Sequence, residues 1–411
     1  MGLPMKTRQQ LAMEVAKRYR RANRREKGKI LDDFVSDTGY TRAYAGIILR
    51  ECGLKLLYAL DEGVVEAEAR VVKPHGGRRP RVYSDEVQQA VGQLCELFPY
   101  LCGKRLAPVM RAALPFLDTQ ESVRVSESTK DALAVISPAT VDRLLKPRRA
   151  AMRLKGTGYT RATAALSDKI PIRTFGEWQD VAPGHVQLDL VGHDGGVPTG
   201  QCCFTLTVTD VCTGWTERWA LHNRAARWVC EALDEIRTDF PFPFIELHPD
   251  NGSEFINRNL LDYCQRNTLR ISRSRAVQKN DNCYVEQKNF DAVRKLVGYA
   301  RFVSSEAVAA LNELYRTQAL LQNHIYPSQK LLENTRSGAK VKKRYGDPVT
   351  PAQRVLDHQS ISAESKKRLR DTLVRLNPVQ IALQVATCQN AVSRLAVRQP
   401  STELSATEST A

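Results

Sequence analysis

The sequence predicts a multidomain protein with an α-helical N-terminal region, an α/β core on a mixed five-stranded sheet, and a mostly helical C-terminal region. Between residues 185 and 323, three strand-like segments are followed by alternating helices and strands. The 411 residues are enough for two to four domains, and the 42% hydrophobic content is enough for real cores. The formal net charge of +16 predicts a polyanionic partner.

The charge is unevenly distributed along the chain. Residues 1–155 carry 29 Lys and Arg against 18 Asp and Glu, and the last 111 residues carry 16 against 9. The segment between them, residues 156–300, carries 16 against 18. This pattern suits a core whose DNA binding is provided by the basic segments on either side of it. Basic chains also bind nucleic acid non-specifically or simply stay soluble, so charge alone does not decide.

The first 72 residues are predicted to form a helix-turn-helix domain. Residues 7–25 combine helical periodicity with a basic cluster, although such a cluster is more often a solvated surface. Within residues 30–50, Gly39 suits a tight turn and Thr41 suits the N-cap of a second helix. In that helix Thr41, Arg42 and Tyr44 are the candidates for contact with a DNA groove. An ordinary helical hairpin has the same pattern.

A second helix-turn-helix domain is predicted over residues 80–150. Ser84 favours a helix start before residues 87–98, and residues 106–117 continue the pattern up to a polar loop. Ser137 and Pro138 favour a further helix start, and the segment 146–149 is expected to end that helix. Residues 151–174 are expected to be a basic linker into the core.

The core is predicted over residues 175–330. Strands are expected at about residues 185–193, 201–210, 215–221, 244–248 and 269–273, and helices at about 224–239, 254–266, 282–300 and 304–323. Three consecutive strands followed by alternating helices and strands is the order of a ribonuclease H-like sheet. In that fold the first and fourth strands are neighbours.

Three acidic residues have local contexts that suggest a metal site. Asp189 lies inside an alternating apolar run, a poor place for a carboxylate without a function. Asp250 follows a short apolar run and precedes an Asn-Gly turn. Glu286 lies on a predicted helix for which Asp281 or Asn282 is a plausible N-cap. Three carboxylates so placed can hold two divalent metals for phosphodiester chemistry.

Four other acids are weaker candidates. Asp194 is expected at a surface turn, and Asp210 at the end of the second strand is expected to be structural. Asp281 and Glu286 are five residues apart, so on one helix they cannot face the same site. Glu254 is expected to begin a helix, where the helix dipole favours an acid.

Several motifs in order resemble those of DDE transposases and retroviral-type integrases, most closely the transposases of bacterial insertion sequences. The resemblance covers residues 175–330 well and the flanks loosely. It depends on Leu188-Asp189, on the segment from Thr207-Val208-Thr209-Asp210 to Gly214-Trp215, on Asp250-Asn251-Gly252-Ser253-Glu254-Phe255, and on the segment from Lys279 to Asn289.

The resemblance implies the activity and the partners. The three metal-binding acids of the family map onto Asp189, Asp250 and Glu286. It implies two Mg²⁺ ions, for which Mn²⁺ substitutes, and joining of 3′-hydroxyl ends to target DNA without a covalent protein–DNA intermediate. It also implies double-stranded DNA as the partner and a homo-oligomer, at least a dimer, to pair two ends. Candidate DNA contacts are Gln278, Lys279, Lys288 and Asn289, for which surface solvation is an equal alternative, and Thr140 and Arg143.

The C-terminal region is predicted as a basic domain over residues 340–398, helical after its first residues, with a disordered tail over residues 399–411. The β-barrel that retroviral integrases carry there has no legible strands. The ten cysteines include no C-x-x-C pair, and no membrane segment or signal peptide is apparent, which predicts a cytoplasmic, nucleoid-associated protein. The alternative function is a non-catalytic helix-turn-helix DNA-binding regulator derived from a transposase.

Overall fold

The computed structural model of the protein describes residues 3–53, 55–60, 63–68, 82–119, 124–151, 170–178, 180–197, 199–275, 279–337 and 340–397. The chain divides into two compact units, Met1–Val82 and Tyr83–Ala411. The predicted linker lies mostly, and the predicted tail entirely, outside the described residues.

The described residues of the first unit form three helices and a hairpin. The helices are α1 (Met5–Arg21), α2 (Arg24–Thr38) and α3 (Arg42–Glu51), followed by the antiparallel strands β1 (Lys55–Leu60) and β2 (Gly63–Glu68). Asn23 and Glu26 form a reciprocal capping box at the start of α2. Gly39 ends α2 with a φ of 68°, and the Thr41 side chain accepts a hydrogen bond from the Tyr44 amide at 3.4 Å. The helix, turn and helix therefore lie where the sequence predicts them.

Four helices begin the second unit: α4 (Asp85–Leu97), α5 (Gly103–Ala113), α6 (Glu127–Val135) and α7 (Pro138–Ala151). Ser84 and Ser137 accept hydrogen bonds from the Val87 and Thr140 amides, as capping residues do. Two sequence expectations were wrong. The polar loop before Ser137 contains α6, and α7 continues through Pro147, whose exposed position lets the freed carbonyl reach water.

A five-stranded sheet follows, in the order β5-β4-β3-β6-β7. Its strands are β3 (His185–Gly192), β4 (Phe204–Asp210), β5 (Thr216–Leu221), β6 (Glu246–His248) and β7 (Arg270–Ile271). β3 pairs antiparallel with β4 and parallel with β6, so the first and fourth strands are neighbours. This mixed sheet and its helices fit the ribonuclease H-like fold. The strand order agrees with the sequence, although β7 is only two residues long.

The two faces of this sheet differ in chemistry because side chains alternate along each strand. On one face, Val186, Leu188, Leu206 and Val208 pack in an apolar core with helices α8 (Ala226–Asp239) and α9 (Arg258–Arg266). The other face carries polar side chains that are almost fully buried: Gln187, Thr205, Thr207, Thr209, Thr216 and Arg218. The helices that follow β7 cover this polar face.

Those covering helices are not α-helical throughout. The predicted helix over 282–300 consists of α10 (Cys283–Lys288), a π-helical segment (Asn289–Arg294) and α11 (Lys295–Val297). The next helix, α12 (Ser305–Leu320), also ends in a π-helical segment, Leu321–Ile325. Such widened turns often occur at functional sites.

The C-terminal region begins with an antiparallel hairpin, β8 (Leu331–Ser337) and β9 (Lys340–Tyr345), which the sequence did not predict. Three helices follow, α13 (Pro351–Asp357), α14 (Ala363–Arg375) and α15 (Pro378–Arg394). Leu369 of α14 belongs to the apolar core beneath the sheet, and Val379 of α15 belongs to the core shared by α4, α5 and α12. The C-terminal helices thus complete both cores of this unit. Among the described residues, no helix has the length and apolar character to cross a membrane.

Candidate active site

Asp189 lies in the interior of β3 on the polar face of the sheet, directly opposite Thr207 of β4. Its side chain is partly buried and has two hydrogen-bond partners. Oδ1 accepts the Leu190 amide at 2.9 Å, and Oδ2 accepts the Asn289 side-chain amide at 2.5 Å. The carboxylate is therefore held in one orientation.

Asp250 reaches the same level of the sheet from the neighbouring strand. In the parallel pair of β3 and β6, Gln187 is level with His248, and each aspartate comes two residues after its member of that pair. The chain turns after Asp250, and the Gly252 amide donates to Asp250 Oδ1 at 2.9 Å. Adjacent parallel strands thus bring together two acids that are far apart in sequence, as the sequence predicts.

The electrostatics of these two acids show that negative charges meet here. Burial raises the pKa of Asp189 well above its usual value, and the charges of Asp250, Glu286 and Glu254 raise it further. Burial also raises the pKa of Asp250, and the charge of Glu254 adds to this effect, whereas the Gly252 amide opposes it. A cation at this position would relieve the repulsion.

Glu286 lies on α10, which packs on β3 and β4. Its side chain is exposed, and its charge acts on Asp189. The Asn282 side chain ties the start of this helix to the strand by donating to the Leu188 carbonyl at 3.0 Å. Asn282 is at the N-cap position of α10, but its side chain bonds to the sheet and makes no capping hydrogen bond to the amides of α10.

Glu254 is the residue whose place the sequence did not predict. It lies in the turn before α9, which begins only at Arg258, so it does not begin a helix. A Cβ placed on Gly252 would lie 2.6 Å from Glu254 Oε1 and 3.0 Å from Asp250 Oδ1, so both carboxylates cover this glycine. The Asp-Asn-Gly-Ser-Glu order was the available signal, because a tight turn brings its two ends together.

The other three acids have structural partners. Asp210 is fully buried and accepts the Gly184 amide and both the amide and hydroxyl of Thr213, as expected of a structural acid. Asp281 is ion-paired with Arg275, at 2.8 Å. Asp194 accepts the Gly196 amide at its turn.

The predicted DNA contacts fall into two groups. Near the acids, the Asn289 side chain is almost fully buried on Asp189, and Lys288 is partly buried with its pKa lowered to about 8, mainly by burial. Gln278 lies outside the described residues, and only the backbone of Lys279 is described.

The helical candidates lie nearer to solvent. Thr41, Arg42 and Tyr44 are exposed on the first unit, where Arg42 also pairs with Asp32. In the second unit Arg143 is exposed, and its guanidinium donates to Thr140 Oγ1 at 2.8 Å.

The donor atoms at this site are of the kind that a divalent metal binds. Carboxylate oxygens are the ligands that Mg²⁺ prefers. The side-chain oxygen of Asn289, whose amide nitrogen bonds to Asp189, is buried and has no hydrogen-bond partner. In the part of the chain that is described, no three His, Cys, Asp or Glu side chains already stand close enough to share an ion.

Comparisons with known proteins agree with this geometry. The model of the integrase core domain family matches residues 180–279, which include Asp189 and Asp250 and end before Glu286. A protein of Sinorhizobium fredii, described as the uncharacterized protein y4rM, is 39% identical over 349 residues. The match covers 85% of this chain and 95% of that protein.

Proposed function

Because this chain belongs to the same family as the rhizobial protein and carries an integrase core domain of the retroviral-integrase type, we propose that it is the DDE transposase of a bacterial insertion sequence. The domain implies polynucleotidyl transfer for the family as a whole. We propose the finer steps for this chain: binding of the element's terminal repeats, cleavage at the ends, and joining of the 3′-hydroxyl ends to target DNA.

The observation that carries this proposal is that Asp189 lies in β3 and Asp250 follows two residues after the adjacent parallel strand β6, at the same level of the sheet, with the helix of Glu286 packed on β3. The negative charges of Asp250 and Glu286 both raise the pKa of Asp189, although Asp189 and Glu286 are almost a hundred residues apart in the sequence. A cluster of like charges is costly unless it binds a cation.

Asp189, Asp250 and Glu286 are the residues that would hold Mg²⁺ or Mn²⁺. When bound, two such ions supply activation of the attacking oxygen and stabilisation of the leaving oxygen of an in-line displacement. The protein's own contribution is orientation. The Asn289 amide fixes Asp189 Oδ2, and the Gly252 amide fixes Asp250 Oδ1. Partial burial of both carboxylates strengthens their electrostatic effect.

We propose that the helical regions on the N-terminal side of the core bind DNA. The excess of basic residues before residue 156 supports this, as does the exposure of Thr41, Arg42 and Tyr44 at the start of α3. Thr140 and Arg143 have the equivalent place on α7 and are proposed as base contacts. Synapsis of two element ends implies a dimer or larger assembly on DNA.

A strand-joining assay with DNA carrying the element's ends tests the proposal. The variants Asp189→Asn, Asp250→Asn and Glu286→Gln remove one charge each and preserve side-chain shape. In Mg²⁺ or Mn²⁺ each is expected to lower joining at least about a hundredfold, the scale of losing a group that stabilises the transition state. Asp194→Asn is the matched control and is expected to join at the wild-type rate, because Asp194 acts within its own turn.

Two outcomes decide against parts of this proposal. Equal joining by the wild type and all three triad variants would exclude these acids as the catalytic set. Failure of every protein to join DNA, together with salt-sensitive DNA binding, would favour the alternative function of a DNA-binding regulator.

A further inference from the structure

A side chain of β3 holds the start of α10, the helix that carries Glu286. Gln187 is fully buried and lies two residues before Asp189, on the same face of the sheet. Its Oε1 accepts the backbone amides of Tyr284 at 3.0 Å and Val285 at 3.3 Å, and its Nε2 donates to the Asp281 carbonyl at 2.9 Å. Gln187 thus satisfies helix amides from outside the helix.

α10 has no capping side chain of its own. The first amides of any helix lack partners within it and need an acceptor, usually the N-cap side chain. The residue at that position is Asn282, with φ −113° and ψ 24°, and it makes no capping hydrogen bond. Its side-chain amide donates instead to the Leu188 carbonyl. Gln187 therefore provides the acceptor that the N-cap does not.

Three successive residues of β3 are bonded to this helical segment. Gln187 binds its first amides, the Leu188 carbonyl accepts Asn282, and Asp189 Oδ2 accepts Asn289. Glu286 lies between these attachment points. α10 continues without a break into the π-helical segment and α11, so these hydrogen bonds fix the N-terminal part of one helical segment to β3. They therefore help to set the place of Glu286.

We propose that Gln187 is a positioning residue that sets where Glu286 stands relative to Asp189, and that its loss weakens divalent-metal binding at the site. This inference rests on the proposed function, because it assumes that the acids share metal ions. Gln187 itself is fully buried, so it acts through the helix and not through contact with DNA.

Three variants separate this role from ordinary core packing. Gln187→Met keeps the volume and removes all three hydrogen bonds, whereas Gln187→Glu keeps an acceptor for the two amides. Thr209→Val is the matched control. Thr209 lies directly across from Gln187, is buried, and its hydroxyl bonds to that of Thr216 at 3.1 Å within the sheet. Its loss removes a buried hydrogen bond that lies within the sheet.

Hydrogen exchange in the full-length protein provides the first readout. In Gln187→Met, the amides of Tyr284 and Val285 are expected to exchange about tenfold faster, the ratio that corresponds to one lost hydrogen bond. Gln187→Glu is expected to stay near the wild type, and Thr209→Val is expected to leave these amides unchanged. Unchanged exchange in Gln187→Met would overturn the inference.

Calorimetric titration with Mn²⁺ provides the second readout, independent of DNA joining. Gln187→Met is expected to weaken Mn²⁺ binding about tenfold, with recovery in Gln187→Glu and no change in Thr209→Val. Equal weakening in Gln187→Met and Thr209→Val, or no Mn²⁺ binding by the wild type, would overturn the inference. A wild type that binds Mn²⁺ but joins no DNA would refute the proposed function and leave the positioning role standing.

Discussion

Two carboxyl groups, the partly buried Asp189 and the buried Glu217, both have a pKa above the usual value because burial penalises the ionised form. Their neighbours distinguish them. Glu217 Oε1 accepts the Trp215 indole at 2.9 Å and the Asn323 amide at 2.8 Å, so it belongs to a closed structural network. Asp189 meets the charges of three other acids instead. A raised pKa therefore identifies a buried acid, and only its partners indicate metal chemistry.

Glu217 gives a prediction for the pH dependence of stability. Its pKa rises from 4.5 to about 8 on folding, so the folded protein keeps a proton that the unfolded chain releases between these values. The free energy of unfolding should therefore fall as the pH rises from about 4.5 to about 8.

Glu217→Gln removes this titration. Near pH 8 it is expected to raise the free energy of unfolding by an amount on the order of 2–4 kcal/mol and to flatten its pH dependence. Denaturant unfolding at several pH values measures both effects. The exposed Glu231→Gln is the control, and a decline with pH that survives in Glu217→Gln would contradict the assignment.

At the scale of elements, caps and turns explain which helices could be predicted. Gly39, Thr41, Ser84 and Ser137 act locally, and the helices they bound lie where the sequence placed them. α6 was missed although Ser126 caps it, because its short, polar segment has few apolar positions. β9 was missed because a basic segment on an exposed hairpin has no apolar alternation.

The start of α3 gives a prediction for DNA binding. Arg42 lies at its N-terminal end and Arg50 at its C-terminal end, and both are exposed. If the N-terminal end of α3 enters a groove, Arg42→Ala should weaken binding to the terminal repeat by about 1–3 kcal/mol. Arg50→Ala, which removes the same charge from the same helix, should have a much smaller effect. Fluorescence anisotropy at fixed salt measures both, and equal losses would indicate non-specific charge attraction.

At the scale of the whole molecule, segments far apart in sequence share each core of the second unit. Val379, Ile381, Ala382, Val385 and Val392 of α15 are buried in the same cluster as residues of α4, α5 and α12. Ala352, Val355 and Leu369 lie in the core beneath the sheet. Residues of the predicted C-terminal domain, 340–398, therefore contribute to both cores of the second unit.

Removal of α15 tests this contribution. Burial of its five apolar side chains is worth roughly 5–10 kcal/mol, close to the entire stability of a typical domain, about 5–15 kcal/mol. A variant truncated after Leu376 is expected to lose cooperative thermal unfolding. A variant truncated after Val397, which keeps α15, is expected to unfold like the wild type. Cooperative unfolding of the shorter variant would show that the remaining core is self-sufficient.

The sequence by itself determined the order of strands and helices along the core and singled out three acids as candidates, because alternating apolar residues, turn residues and capping residues act over a few neighbours. It also placed Asp189 in one strand and Asp250 at the end of another, and these two strands are neighbours in the sheet. Only the tertiary structure decided that Glu254 joins them, that Asn289 and Gln187 face inward, and that α15 completes a core. These facts depend on contacts between residues far apart in the chain, which no local pattern encodes.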